Sequence, residues 1–236
     1  MTPSQRITIV TGANRGLGLG VARDLARRGD RVILTARSQD KADGAAETLR
    51  GEGLEVVPRA LDVASDESVA AFFRWLDDEH GGRVDVLVNN AGMMQEKGGP
   101  AGSQASSGVV LEHLDNNALS AYRMLEGALP RMNRHGYGRV VNVSSGMGGL
   151  TEMGGGHPAY RLSKAAMNAL TRIFHDAASG DVKVNSVCPG WVKTDMGGPS
   201  AHRELAQGVA SITWAANLGA DGPSGGFFRD GKALAW

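Results

Sequence analysis

The chain reads as a doubly wound α/β protein: a parallel sheet of about seven strands with helices on both faces. Three observations carry this reading. Short apolar runs alternate with helical patterns almost from end to end. Several runs, Ile7-Thr8-Ile9-Val10 and Val86-Leu87-Val88 among them, are apolar on both faces, as strands covered above and below must be. A glycine-rich turn, Thr11 to Gly18, joins the first strand to the first helix. No linker or internal repeat divides the alternation, so residues 1–236 are read as one dinucleotide-binding and catalytic domain.

The first strand covers Arg6–Thr11, and the helix Gly18–Arg28 follows it with Ala22, Leu25 and Ala26 on one face. Arg31–Ala36 and Gln39–Arg50 form the next strand and helix, and Leu54–Arg59 the third strand. Ser65, with Asp66 and Glu67 in the following turn, opens a capped helix over Asp66–Glu79. Val84–Asn89 is the fourth strand, Asn117–Arg134 a helix, and Gly138–Ser144 the fifth strand. The helix Tyr160–Ala178 leads to the sixth strand, Val182–Cys188, and Gly225–Phe228 is a seventh candidate. Three segments fit no regular element: 92–108, 146–156 and 197–208, the last with a turn or two of helix around His202–Ala206. Loops leaving the C-terminal strand ends surround the ligand crevice of such a sheet, so these segments are expected to wall a substrate pocket; plain surface loops are the alternative.

Composition excludes several classes. Lys plus Arg and Asp plus Glu number 25 each, so no polyanion-binding surface is expected and nucleic acid is not a partner. No signal pattern or long charge-free apolar run occurs, which leads to the expectation of a soluble cytoplasmic protein without membrane association. The single cysteine, Cys188, is read as a buried, unreactive thiol. The histidines, His80, His113, His135, His157, His175 and His202, lack metal-ligand spacing, so no metal is expected. Met93, Met94, Met147, Met153 and Met196 could line an adaptable apolar pocket or simply pack their loops.

The turn Thr11-Gly12-Ala13-Asn14-Arg15-Gly16-Leu17-Gly18 suits a pyrophosphate. Gly12 permits a tight bend, Gly16 lets backbone approach phosphate, and Gly18 allows close helix–strand contact, while the helix N-terminus offers free N–H groups. An NAD site commonly places a carboxylate after the second strand to hold the ribose hydroxyls. This chain has Thr35-Ala36-Arg37 there. Ala36 removes the repulsion toward a 2′-phosphate and Arg37 supplies a planar cation, with Arg15 approaching from the other side. NADP(H) is therefore expected over NAD(H).

Tyr160 and Lys164 stand one helical turn apart, on one face. A phenol holds its proton up to about pH 10, and a neighbouring cation favours the phenolate, so the pair can exchange a proton with an alcohol or carbonyl oxygen. Ser144 and Ser145 are adjacent on an extended segment, so only one can face that oxygen.

The remaining motifs follow in order: Asn89-Asn90-Ala91-Gly92 after the fourth strand, Asn117 in a helix that reaches Pro130, Ser144-Ser145, and Pro189-Gly190-Trp191-Val192-Lys193-Thr194. With the glycine turn, Tyr160 and Lys164, they make the chain resemble the short-chain dehydrogenase/reductase family over nearly its whole length. The segments 11–15 and 226–231 are most similar to carbonyl-reductase-type members. The resemblance implies that Tyr160 is the acid/base, that Ser145 rather than Ser144 holds the reacting oxygen, and that Lys164 lowers the phenol pKa and holds the nicotinamide ribose. It implies that the backbone near Asn117 positions a water, with Asn116 local or capping. Cofactor contacts are implied at Gly12, Asn14, Arg15, Gly16, Leu17, Gly18, Arg37, Asp62, Val63, Asn89, Ala91, Gly92, Tyr160, Lys164, Pro189, Gly190, Val192 and Thr194. Asp62 sits near the adenine in this reading, or caps the helix after it; Asn90 braces the sheet and cofactor loop; Val192 and Thr194 meet the carboxamide.

The activity implied is NADP(H)-dependent reduction of an aldehyde or ketone to an alcohol, or the reverse. An NADP-assisted epimerase or dehydratase and a nucleotide-sensing binding protein are the alternatives. The helices Asn117–Arg134 and Tyr160–Ala178 resemble those that form family dimers within tetramers, although carbonyl-reductase-like relatives can be monomeric.

Overall fold

The computed structural model describes residues 5–96 and 105–236. Its centre is an eight-stranded sheet formed by β1 (Ile7–Val10), β2 (Arg31–Ala36), β3 (Val56–Ala60), β4 (Val86–Asn89), β5 (Tyr137–Val143), β6 (Asp181–Val187), β7 (Phe227–Arg229) and β8 (Lys232–Ala233). The spatial order is β3-β2-β1-β4-β5-β6-β7-β8. All neighbours run parallel except the last pair. Strand order reverses between β1 and β4, and the crevice at their C-terminal ends is where such sheets take ligands.

Alternation along the strands feeds two apolar layers. Val32 and Leu34 join Val21, Leu25, Leu49 and Ile212 on the side of α1 (Gly16–Arg27), α2 (Gln39–Arg50) and α7 (Leu205–Ala216). Ile33 turns to the opposite layer, with Phe72, Leu76, Met124, Leu125 and Phe174. That layer is supplied by α3 (Asp66–His80), α5 (Ser120–His135) and α6 (Pro158–Asp176). Between them, a buried polar chain crosses the sheet. Asn89 Nδ2 donates to Asn142 Oδ1 (2.8 Å), Asn142 Nδ2 to Thr171 Oγ1 (2.8 Å), and Thr171 Oγ1 pairs with Ser186 Oγ (2.7 Å).

The sequence reading and the structure differ at four places. The helix expected from Asn117 begins ten residues earlier, as α4 (Ser107–His113), and passes through a π-helical turn, Leu114–Leu119, before α5. Ser106 caps its start by accepting from Val109 N–H, so residues 107–108 are helical, and 97–104 of that expected loop lie outside the described residues. The segment 197–208 runs into a full helix, α7, opened by Glu204 and Gln207, each side chain bonding the other's end of the first turn. Finally, β8 pairs back on β7 through Asp230-Gly231, both at positive φ (52° and 74°), the geometry of a tight hairpin.

Candidate active site

The glycine turn leaves β1 and opens α1 with the geometry its residues allow. Gly12 and Gly16 have φ of 61° and 55°. At Gly18 a Cβ would lie 2.4 Å from the Gly12 carbonyl oxygen and 2.5 Å from Asn90 Nδ2, so only glycine fits. Asn90 Nδ2 donates to the carbonyls of Thr11 (2.9 Å) and Gly12 (3.1 Å), and Thr11 Oγ1 accepts the N–H groups of Asn90 and Ala91. β4 thereby grips the turn. No side chain caps α1 and no acidic residue lies in its first turn, leaving the positive helix end open to an anion.

Around this cradle, Ala36 is buried at the end of β2 while Arg37 is exposed and makes no ion pair among the described residues. Arg15 behaves differently: its guanidinium pairs with Asp195 at 2.5 Å, and both side chains are mostly exposed. Asp62 serves its own turn, Oδ1 accepting from Ala64 N–H (3.0 Å), while Ser65 caps α3 by accepting from Ser68 N–H (3.2 Å). Val63 is buried in the core beside it. Asn89 commits its Nδ2 to Asn142, inside the sheet.

Across the crevice lies the segment after β6. Gly190 bends at φ 81°, Val192 is buried, and Thr194 accepts from Gly197 N–H (3.1 Å). The Thr194 methyl comes within 3.7 Å of a Cβ position at Gly16, so this segment and the glycine turn face each other.

The proton-bearing groups gather between these walls. Ser144 and Ser145 diverge as an extended segment requires. Ser144 Oγ donates to the Lys164 carbonyl (3.4 Å), whereas Ser145 accepts from Met147 N–H (3.2 Å) and lies near enough to the Tyr160 phenol to favour its ionised form. Lys164 Nζ donates to the Val143 carbonyl (2.8 Å) and sits 5.7 Å from the Tyr160 ring centroid. Gly92 passes so near that a Cβ there would be 3.0 Å from Asn117 Oδ1 and 3.7 Å from Lys164 Nζ. Asn117 lies in the π-helical turn, a feature frequent at functional sites. Its side chain is fully engaged: Oδ1 accepts from Met93 N–H, and Nδ2 donates to the Met93 carbonyl and Ser163 Oγ.

Electrostatically the pair departs from the sequence reading. The Tyr160 phenol is pushed up to about 12, because burial outweighs the opposing influence of the nearby Ser145. Burial likewise pushes the Lys164 ammonium down to about 8. Desolvation, more than any neighbouring charge, sets both values.

Sequence reasoning missed two supports. Cys188, buried as expected, accepts through Sγ from Gly146 N–H and Arg229 Nη2, both at 3.1 Å, and so anchors the turn that carries Ser145. Ser163 ties Asn117 to α6, its Oγ donating onward to the Tyr160 carbonyl (2.8 Å). Neither has a local signature, since both depend on partners far away in sequence. Among the described residues no His, Cys, Asp or Glu group converges on a metal site, and no helix is long and apolar enough to cross a membrane.

A doubly wound sheet with an anion cradle at its switch point and a Ser–Tyr–Lys cluster beside it defines a dinucleotide-dependent oxidoreductase. The chain belongs to the short chain dehydrogenase family, whose profile matches residues 6–205. It is similar to carbonyl reductase (NADPH) 1 of Sus scrofa, 31% identical across 100% of this chain and 96% of that protein. A 3-oxoacyl-(acyl-carrier-protein) reductase of Pseudomonas aeruginosa is 34% identical across 88% of this chain and 83% of its own. Among solved structures, NADPH-bound carbonyl reductase from chicken fatty liver superposes with a TM-score of 0.85 at 26% identity, covering 98% of this chain and 99% of that one.

Proposed function

We propose that the chain reduces an aldehyde or ketone to an alcohol with NADPH, or runs the reverse reaction, with Tyr160 as acid/base. The observation that carries this reading is the convergence of Ser145, the buried Tyr160 phenol and the buried Lys164 ammonium between the glycine cradle and the segment after β6. The glycine cradle fits a pyrophosphate, and exposed Arg37 beside Ala36 fits a 2′-phosphate, which favours NADP(H) over NAD(H). Arg15 would reach the same phosphate only by leaving Asp195. When bound, the cofactor supplies the hydride. In this reading Gly12, Asn14, Gly16, Leu17 and Gly18 hold its phosphates, Asp62 and Val63 border the adenine, and Val192 and Thr194 the carboxamide.

The residues of the chain handle the proton. Tyr160, protonated at neutral pH, donates to the substrate oxygen; Ser145 holds that oxygen as charge develops. Lys164 then stabilises the phenolate left behind. Because burial pushes the phenol up to about 12, reduction draws on the form already present at neutral pH, and oxidation gains as pH rises. A cytoplasmic setting and a homo-oligomer complete the reading. The latter draws on the exposed apolar side chains Leu111, Leu119, Tyr122 and Ile173 along α4, α5 and α6 and the turn joining the first two. The test is a panel of aldehydes, ketones and alcohols assayed with both coenzymes. Stoichiometric alcohol formation with NADPH oxidation supports the assignment, and cofactor binding without turnover of any carbonyl or alcohol contradicts it.

A further inference from the structure

The first turn of α6 presents an unusual accounting. Its N1 residue is Pro158, which has no N–H, and its N-cap residue, His157, is left-handed (φ 51°) and makes no side-chain cap. The next two N–H groups, of Ala159 and Tyr160, have no partner within a helix. Both are taken by one carboxylate from far away in sequence. Glu96 Oε1 accepts from Ala159 N–H (3.2 Å) and Oε2 from Tyr160 N–H (3.0 Å). The negative charge faces the positive end of the helix, where it is favoured.

Glu96 is itself held in place. It lies in the segment after β4, which is pinned at successive points to α4 and the π-helical turn. Asn117 clasps both backbone groups of Met93. The Gln95 N–H donates to His113 Nε2 (3.2 Å), and the fully buried imidazole donates its Nδ1 proton to the Val109 carbonyl (2.9 Å). The segment is thus a strut from the helix floor to the backbone of the tyrosine.

We propose that Glu96 is a positioning residue for the reaction: it caps α6 in trans and thereby fixes the Tyr160 hydroxyl against Ser145. This rests on the acid/base role proposed for Tyr160. A misplacement of about 1 Å at a reacting group costs up to about a hundredfold in rate. Glu96 holds the backbone of the residue that carries the proton, so its effect is expected on proton delivery rather than on cofactor affinity.

The experiment compares Glu96→Ala and Glu96→Gln with the wild-type chain. It uses NADPH and whichever carbonyl of the panel turns over fastest, and it measures kcat, the NADPH Kd by fluorescence and the solvent deuterium isotope effect on kcat. Glu96→Ala is expected to lower kcat about tenfold to a hundredfold, with the NADPH Kd within about twofold and a larger isotope effect as proton transfer becomes limiting. Glu96→Gln keeps one acceptor and is expected to recover part of the loss. Wild-type kcat in Glu96→Ala, or a lower kcat with an unchanged isotope effect, overturns the proposal. Should Glu96→Ala fail to fold, Glu96→Gln decides alone on the same two readouts. Tyr160→Phe, run in parallel with Glu96 intact, separates the two claims: wild-type turnover there sinks the acid/base reading itself.

Discussion

Lys164→Met should make the unliganded protein more stable at pH 7 while removing its activity. The ammonium is almost wholly buried, and burial brings its pKa from 10.5 down to about 8. One pKa unit is about 1.4 kcal/mol, so holding this charge inside costs on the order of 3 kcal/mol at neutral pH. Methionine has a similar length and no charge, but it orphans the Val143 carbonyl that Nζ now satisfies, a loss of about 1 kcal/mol. The net gain is about 1–3 kcal/mol, within the range seen when buried charges give way to apolar side chains. Its pH dependence has a definite sign. Between about pH 8 and pH 10.5 the unfolded lysine holds a proton that the folded one has released, so wild-type stability rises with pH across that window. The variant lacks this titration, and its advantage should shrink from pH 7 to pH 10. Urea unfolding of both proteins without cofactor, at those two pH values, measures it. A variant less stable than wild type at pH 7, or a difference independent of pH, would refute the reasoning.

Two further outcomes follow from the site and surface. Arg37→Asp exchanges a phosphate partner for a ribose-hydroxyl acceptor; NADPH binding should weaken about tenfold or more while NADH binding holds or improves, as fluorescence titration would report. Ile173→Glu places a charge on the exposed apolar face of α6, so light scattering should show wild-type oligomers reduced to smaller species; a monomeric wild-type protein would contradict the oligomer reading.

The parallel sheet was legible because its strands are covered on both faces: Ile7–Val10 and Val86–Asn89 are buried at every position, and Ile7, Ile9 and Val10 and the run Val86–Val88 put apolar side chains on both faces. The glycine turn was legible because φ and close contact restrict residue type locally, as Gly12 and Gly18 show. Helix α7 was hidden because Ala, Gly and Thr blur the apolar period, and Gly208 packs on Leu17 and Val192 for reasons set by the tertiary fold. Its Glu204–Gln207 bonding offered a cue, as did Asp230-Gly231 for the hairpin to β8. The π-helical turn at Asn117 gave no such cue: Asp115, Asn116 and Asn117 are weak helix formers but do not signal a π-turn, and contacts with Met93 and Ser163 accompany the widening. Spacing placed Tyr160 and Lys164 on one face of α6, but the balance of their electrostatics was not legible. That balance depends on burial, which belongs to the assembled crevice.

The most direct test of the account removes a single oxygen atom, in Tyr160→Phe. With NADPH and a reducible carbonyl, kcat should fall by about a hundredfold to ten-thousandfold while the NADPH Kd stays within about twofold. Turnover at the wild-type rate, by a variant that binds the coenzyme normally, would contradict the assignment of the proton to this phenol.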